Sequence, residues 1–342
     1  MGGSFRKKVA VVRTRARSQL GNVPKALTFA VFLSMTPGGG AQLPEQPPSS
    51  TEDSESLRFT VNIDLVLLHA TVRDREGLFV SDLREQDFQV YEDGVRQRIR
   101  LFKREDTPVT VGLVIDHSGS MRPKLKDVIA AARTFAQASN PHDEMFIVNF
   151  NEFVTLGLPI ATPFTNDPNE LERAISKTPA DGQTALYDAI GVALNGLQRG
   201  RREKKVLIVL SDGGDNASVR TMEQVLRMAG QSSAIIYTVG TFDVEDEDAN
   251  PRVLKRLART TGGEAFFPAH PEAVVEICGR IAHDIRNQYI IGYVSTNPAR
   301  NGTYRAMRVV AKAPRHGKLS VRTRAGYIAG GDSAPATGGG AR

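Results

Sequence analysis

Oxygen-bearing side chains follow one apolar stretch of the chain at a spacing of two residues. The run from Val109 to Ile115 is rich in β-branched residues and is followed by Asp116, Ser118 and Ser120. Such a run predicts a strand buried on both faces, and open α/β sheets bind ligands at the carboxyl ends of their strands. One carboxylate and two hydroxyls at that edge are hard oxygen donors, which favour Mg²⁺ or Mn²⁺ over a soft metal.

Two later segments carry further oxygen ligands. Thr184 lies in the segment 182–188, and Asp212 ends a second apolar run, 206–211. The three segments, in this order, resemble the metal-ion-dependent adhesion site of the von Willebrand factor A domain, and the resemblance covers roughly residues 105–287. One departure is Gln183, where the family often has a second glycine before the threonine; it affects the loop conformation and leaves the hydroxyl in place.

The resemblance implies a role for each residue of the predicted metal site. Ser118, Ser120 and Thr184 are expected to bind Mg²⁺ or Mn²⁺ directly, and Asp116 and Asp212 to act mainly through bound water. Without a direct protein carboxylate, the ion is expected to take a Glu or Asp carboxylate of a partner protein as its sixth ligand. The implied function is protein binding or adhesion without enzymatic activity.

The surrounding pattern predicts how these segments are positioned. From Val109 strands and helices alternate, which predicts a doubly wound, mostly parallel, Rossmann-like sheet over 105–287. The flanking segments 57–104 and 288–328 are rich in β-formers, and the runs 95–102 and 319–327 are each expected to form one strand. Since three C-terminal strands cannot hold a core alone, we expect the two flanks to form one small β-sandwich with the A domain inserted between its halves.

The chain begins with a basic and then apolar segment. Residues 1–41 contain seven basic and no acidic residues, followed by about ten apolar residues and small residues, which indicates a secretory signal peptide. The net charge of +6 therefore belongs to this leader, and the remainder is −1, which argues against nucleic-acid binding. Residues 42–56 are predicted to form a disordered linker, and residues 329–342 a disordered tail. No later segment is apolar enough to span a membrane. Because of the predicted signal peptide, the mature protein is expected to be secreted, periplasmic or in the cell envelope.

Several other groups allow a functional and a structural interpretation. Asp215 and Asn216 are expected to shape the loop after Asp212 and could reach its waters. The acidic run 243–250 lacks the spacing of an EF-hand loop and is interpreted as a solvated loop. The same interpretation applies to the basic segment 199–205. His283-Asp284 is expected at the surface, and Cys278, the only cysteine, is expected to be buried and inert.

Three functions remain open on the sequence alone. A metal-dependent protein-binding module is favoured. A metal-assisted enzyme would need a general acid or base beside the ion, which the motif segments do not supply; a serine hydrolase built on His117 and Ser118 is disfavoured because adjacent residues on a strand point apart. The third is a structural envelope component in which the metal only stabilises the fold.

Overall fold

The computed structural model describes residues 65–104, 106–241 and 249–330. The predicted signal peptide 1–41 and linker 42–56 lie outside the described residues. So do residues 57–64 of the predicted N-terminal β segment and residues 331–342 of the predicted tail. None of the helices in the described ranges is long and apolar enough to cross a membrane.

The first and last parts of the described chain contain strands and two short 3-10 helices, Glu85–Asp87 and Pro314–His316. Strands and α-helices alternate in the region between them. The strands are β1 (Leu65–Arg73), β2 (Phe88–Glu92), β3 (Val95–Gln97), β4 (Ile99–Lys103), β5 (Val109–Asp116), β6 (Glu144–Phe150), β7 (Val154–Leu156), β8 (Lys204–Ser211), β9 (Ile235–Gly240), β10 (Ala265–Phe266), β11 (Tyr289–Val294), β12 (Tyr304–Ala311), β13 (Ser320–Arg322) and β14 (Gly326–Ile328). The helices are α1 (Leu125–Ala138), α2 (Pro168–Ser176), α3 (Leu186–Gln198), α4 (Met222–Gln231), α5 (Pro251–Thr261) and α6 (Ala273–Arg286).

The alternating region forms a six-stranded sheet with the order β10-β9-β8-β5-β6-β7. All neighbouring strands are parallel except the edge pair β6–β7, which is antiparallel. Every residue of β5 is buried, as expected for a parallel strand covered by helices on both faces. The mixed α/β fold with a mostly parallel sheet agrees with the sequence prediction, and the adjacent central strands β5 and β8 end at the same edge.

Helices cover the two faces of this sheet in two separate apolar clusters. Side chains of α1, α2 and α6 pack on one face, around Leu113, Ile147 and Ile208. Side chains of α3, α4 and α5 pack on the other, around Val114 and Val209. Cys278 lies in the first cluster, where burial raises the pKa of its thiol to about 12; its predicted burial is confirmed.

Two four-stranded sheets contain the strands that flank the alternating region. Their orders are β13-β1-β11-β4 and β14-β12-β2-β3. Each sheet thus combines strands from before and after the helical region, and β11 and β12 occupy inner positions. Leu68, Val90, Ile291 and Val309, drawn from both sheets, belong to one apolar cluster.

Two segments that the sequence predicted as single strands are each divided. The run 95–102 splits at Arg98 into β3 and β4, and the run 319–327 splits at 323–325 into β13 and β14. In each case the two pieces belong to different four-stranded sheets. A chain that crosses from one sheet to another keeps its β-rich composition through the corner, so composition alone does not reveal the break.

An ion-pair network joins β1 and β13 to the helical region. The Arg73 guanidinium lies 2.6 Å from an Asp284 carboxylate oxygen and 2.9 Å from one of Glu264. Arg322 pairs with the same two carboxylates. Asp284 is only 2% exposed, so the prediction that it lies at the surface is wrong. The sequence did not indicate its burial because its basic partners, Arg73 and Arg322, are distant in the sequence.

The basic segment 199–205 is also only partly a solvated loop. Lys204 begins strand β8, is buried, and its ammonium group donates a hydrogen bond to the carbonyl of Ile285. Burial lowers the pKa of Lys204 to about 7. The prediction of a solvated loop is therefore corrected at this residue.

Candidate metal site at the carboxyl edge of the parallel sheet

The segment after β5 is fixed by its own backbone and by the next strand. The His117 N–H donates a 2.6 Å hydrogen bond to the Phe150 carbonyl at the end of β6. The Ser118 N–H donates a 2.8 Å bond back to Asp116 Oδ1, and a short 3-10 helix then runs from Gly119 to Met121. These contacts place Asp116, Ser118 and Ser120 at the end of the strand in a tight turn.

The end of β8 contributes the second carboxylate of the site. Ser120 Oγ donates a 2.6 Å hydrogen bond to Asp212 Oδ2, and the Ser118 and Ser120 hydroxyls are hydrogen-bonded at 3.2 Å. The Gly214 N–H donates to Asp212 Oδ1 at 2.9 Å. The structure therefore brings Asp116, Ser118, Ser120 and Asp212 into one chain of hydrogen bonds.

Ser211 belongs to this chain, although the sequence reasoning did not select it. Its hydroxyl donates a 2.6 Å hydrogen bond to Asp116 Oδ2 and accepts one from the Gly213 N–H at 3.0 Å. It is fully buried. The available signal was a hydroxyl at the end of an otherwise apolar strand, one residue before Asp212.

The loop that carries Thr184 is bonded to the segment after β5. The Gly119 N–H donates to the Gly182 carbonyl at 3.2 Å, and the Asp181 N–H donates to the His117 carbonyl at 2.8 Å. Thr184 is buried and lies two residues before the start of α3 at Leu186. The structure thus places the Thr184 loop, residues 181–185, against the turn that carries Asp116, Ser118 and Ser120.

The loop after Asp212 holds Thr184 through its backbone. The Thr184 N–H donates to Asn216 Oδ1 at 2.9 Å, and the Thr184 carbonyl accepts from the Asn216 N–H at 3.0 Å. Asp215 Oδ2 accepts from the Tyr187 N–H at 2.8 Å, in the first turn of α3. Asp215 and Asn216 were expected to shape the loop after Asp212; in the structure they hold the segment of Thr184 and the first turn of α3. Their contact with bound water stays a prediction.

The departure at Gln183 does not disturb this loop. The left-handed backbone conformation falls on Gly182, with φ of 81°, and Gln183 has a negative φ. A Cβ on Gly182 would lie 1.7 Å from Glu152 Oε2, and the same oxygen accepts a 2.9 Å bond from the Gln183 N–H. Glycine is therefore required at 182 for both conformation and space, and not at 183.

The electrostatics of the site are those of a buried pair of carboxylates. Burial, and secondly the neighbouring Asp212 carboxylate, raise the pKa of Asp116 to about 7 against the opposing effect of the Ser211 and Ser118 hydrogen bonds. Among the described residues, neither carboxylate forms an ion pair with a basic side chain. Buried charges are normally paired or bound to a metal. The uncompensated acidic pair and the adjacent hydroxyls fit a small hard divalent cation.

Only part of the site reaches the surface. Asp116, Ser118, Thr184 and Asp212 are buried, whereas Ser120 is exposed. Ser120 is therefore the predicted ligand that is accessible to solvent, at the carboxyl edge of the sheet.

His117 is not arranged for nucleophilic catalysis with the serines. Its ring is buried, and Nε2 lies 3.2 Å from Asn149 Oδ1 on β6. Burial lowers the pKa of His117. The ring is thus bonded to the neighbouring strand rather than to Ser118 or Ser120.

Only the end of the acidic run 243–250 lies within the described residues. Residues 242–248, which include most of it, lie outside the described residues. Asn250 at its end caps α5 through a hydrogen bond from the Val253 N–H, and its own N–H donates to the Asp212 carbonyl at 3.0 Å. The interpretation of the run as a solvated loop stays a prediction.

Residues 111–214 match a family model described as von Willebrand factor type A domain. The matched region contains all five predicted ligand-bearing positions and 104 of the 342 residues of the chain. This match supports a von Willebrand factor A domain in this part of the molecule. No curated protein sequence matches the chain significantly.

Several solved structures are similar to this chain at low sequence identity. A von Willebrand factor type A protein from Catenulispora acidiphila is 14% identical with a TM-score of 0.45, covering 79% of this chain and 75% of that one. The vWF domain of the type V pili tip protein Mfa5 from Porphyromonas gingivalis is 16% identical with a TM-score of 0.45, covering 53% and 95%. The PilB minor pilin from Streptococcus sanguinis is 16% identical with a TM-score of 0.42, covering 53% and 62%.

Proposed function

We propose that the protein is a secreted, non-enzymatic binding module that engages an acidic residue of a partner protein through Mg²⁺ or Mn²⁺. The observation that carries this proposal is that Asp116, Ser118, Ser120 and Asp212 share one chain of hydrogen bonds around two carboxylates that have no basic partner among the described residues. The segment of Thr184, the fifth proposed ligand, is bonded through its backbone to the same turn. The match to the von Willebrand factor type A model over residues 111–214 supports it.

The roles proposed for the individual residues are those that the resemblance to the von Willebrand factor A domain implies. The Ser118, Ser120 and Thr184 hydroxyls would hold the ion, and Asp116 and Asp212 would accept hydrogen bonds from its waters. A bound Mg²⁺ or Mn²⁺ supplies an electrophilic position for a carboxylate of the partner. Ser211 and the Ser118 N–H position the Asp116 carboxylate, at 2.6 and 2.8 Å, and Asn216 positions the backbone of Thr184.

The remaining parts of the chain are assigned to export and support. We propose that residues 1–41 are a signal peptide and that the mature protein lies outside the cytoplasm or in the cell envelope. We further propose that 57–104 and 288–328 form one β-sandwich into which residues 105–287 are inserted. The mixed strand order of the two four-stranded sheets supports this arrangement.

Two other functions use the same residues differently. A metal-assisted hydrolase needs a general acid or base beside the ion, and the one histidine of the motif is bonded to Asn149. A structural component would use the metal only to stabilise the fold. The binding function is favoured because the exposed Ser120 opens the site to solvent.

A partner-capture experiment separates these functions. Full-length protein is exposed to an envelope extract with Mg²⁺, with EDTA, and as the Thr184→Ala variant. The proposal predicts a partner that is retained by wild-type protein only with Mg²⁺ and is lost with Thr184→Ala. Retention of the same partner in EDTA would support the structural function, and Mg²⁺-dependent turnover of phosphoester or peptide substrates would support the enzyme.

A further inference from the structure

The segment between β6 and α2 has exposed apolar side chains close in sequence to the candidate metal site. Phe153, Leu156 and Ile160 are 70%, 41% and 75% exposed and lie within eight residues of one another. The sequence from 153 to 163 contains no charged residue. We call Phe153, Leu156 and Ile160 the apolar strip. Large apolar side chains that are exposed so close together in the sequence favour an interaction surface.

Leu156 of the apolar strip lies in β7, an unpaired sheet edge, and Phe153 and Ile160 lie on either side of this strand in the sequence. Strand β7 pairs with β6 on one side, and no described strand pairs with its other side. The opposite edge is protected: in β10, Phe266 is buried and the Arg280 guanidinium lies 5.5 Å from its ring centroid. Natural sheets shield their edges with charge, with cover or by keeping the edge strand very short. Strand β7 is three residues long, and among the described residues it has neither a charged side chain of its own nor a covering strand.

A groove accompanies the strip between β7 and α3. It measures about 220 Å³ and is lined mainly by apolar side chains, including those of Phe146, Leu156, Leu158, Phe164 and Val192. The Phe146 and Phe164 rings meet edge to face at a centroid distance of 5.7 Å. The groove has the size for side chains of an added segment, and its lining selects apolar ones.

The strip begins at the candidate metal site. The Asn151 carbonyl accepts a 2.8 Å hydrogen bond from the Ala185 N–H, directly after Thr184. Glu152 Oε2 accepts a 2.9 Å bond from the Gln183 N–H, directly before it. Phe153 therefore follows two residues that are bonded to both sides of Thr184. A chain that left the metal site in this direction would run along β7.

We propose that the partner presents an extended segment that adds to β7 as a strand. An acidic residue at one end of the segment would bind at the metal site, and alternating apolar side chains would cover the strip and enter the groove. The acidic residue rests on the function proposed above. The extended form follows from the free edge of β7, because edge addition uses backbone hydrogen bonds for affinity and side-chain pockets for specificity.

Synthetic peptides test this proposal directly. The probe is a fluorescent peptide with one Glu followed by alternating Val and Thr, titrated against full-length protein in Mg²⁺ and followed by anisotropy. Controls are the same peptide with Gln in place of Glu, and a scrambled peptide in which the apolar residues no longer alternate. The proposal predicts binding of the first peptide, with increased hydrogen-exchange protection of the backbone amides of β7.

Surface variants locate the contact. Phe153→Ser and Leu156→Ser should each weaken peptide binding about tenfold, as expected when a large apolar side chain no longer becomes buried. Val95→Ser is the matched control, because Val95 is 56% exposed on the edge strand β3 of a different sheet; it should leave the affinity unchanged. Calorimetric binding of Mg²⁺ should be the same in all three variants.

The outcomes separate this inference from the function on which it rests. If wild-type protein does not bind Mg²⁺, the proposed metal function fails. If it binds Mg²⁺ but Phe153→Ser and Leu156→Ser bind the peptide like wild type, strand addition at β7 is wrong while the metal site stands. Failure of the peptide to bind Mg²⁺-loaded protein also overturns the inference, as does concentration-dependent dimerisation abolished by Leu156→Lys, which would assign the strip to a second copy of this chain.

Discussion

Replacing Asp116 with Asn should stabilise the metal-free protein near neutral pH. Asn has nearly the same shape and retains an acceptor for the Ser118 N–H, but it removes one charge from the buried pair. An acid whose pKa is raised by folding binds its proton more tightly in the folded state. The stability associated with that proton is fully present below the ordinary pKa of 3.8 and is lost as the pH rises to about 7.

The raised pKa sets the size of the expected effect. At about 1.4 kcal/mol for each pKa unit, the rise of the Asp116 pKa from 3.8 to about 7 corresponds to at most about 4 kcal/mol lost by the wild-type protein above neutral pH. We expect Asp116→Asn to regain about half of this, because neutral hydrogen bonds replace charge-assisted ones. A gain of about 2 kcal/mol in the free energy of unfolding corresponds to a rise in Tm of roughly 4–8 °C for a domain of about 150–250 residues.

Thermal melts in EDTA at about pH 8 and about pH 4.5 provide the measurement. The variant should melt at a higher temperature than wild type at the higher pH, and the difference should shrink at the lower pH because wild-type Asp116 becomes protonated. Saturating Mg²⁺ should raise the Tm of wild type and leave that of Asp116→Asn nearly unchanged. A variant that is less stable than wild type at both pH values by the same amount would refute the buried charge pair.

Three further predictions concern the loop, the sheets and the leader. Gly182→Ala should destabilise the protein by more than about 1 kcal/mol and weaken Mg²⁺ binding, whereas Gln183→Gly should change the Tm by less than half as much, because the positive φ and the contact with Glu152 fall on residue 182; equal effects of the two changes in thermal melts would contradict this. Deletion of 288–342 should cause aggregation in light scattering while 105–287 alone stays folded, because β11 and β12 lie inside the two four-stranded sheets; a soluble, cooperatively melting 57–104 fragment would oppose it. N-terminal sequencing of exported protein should find a start near Gln42, and an intact basic leader on a cytoplasmic species would argue against export.

The parallel sheet and its carboxyl edge were predictable from the sequence. The runs ending at Asp116 and Asp212 are apolar throughout because both faces of these strands are buried, so the point where polar residues begin marks the end of each strand. These local signals predicted that the two strands end at one edge of the sheet, as the structure shows.

Features that depend on distant partners were not predictable. From the sequence, Asp284 is predicted to be a surface residue; in the structure it pairs with Arg73 and Arg322. Ser211 is predicted only as the last residue of a strand, and the structure shows that its hydroxyl donates to the Asp116 carboxylate. The strand breaks at Arg98 and at 323–325 arise because the chain passes from one sheet to another. The residues next to each break do not indicate which sheet a strand will join.

Calorimetric titration of Mg²⁺ and Mn²⁺ into wild-type protein and the Thr184→Ala variant tests the central claim most directly. Thr184→Ala removes one hydroxyl from the edge of the site and retains the backbone groups that Asn216 holds, so the fold should survive with a Tm in EDTA close to that of wild type. The expected result is one ion bound per wild-type chain and no measurable binding to the variant. Equal binding by a folded variant would show that the five residues do not form the metal site and that residues 105–287 serve only as a scaffold.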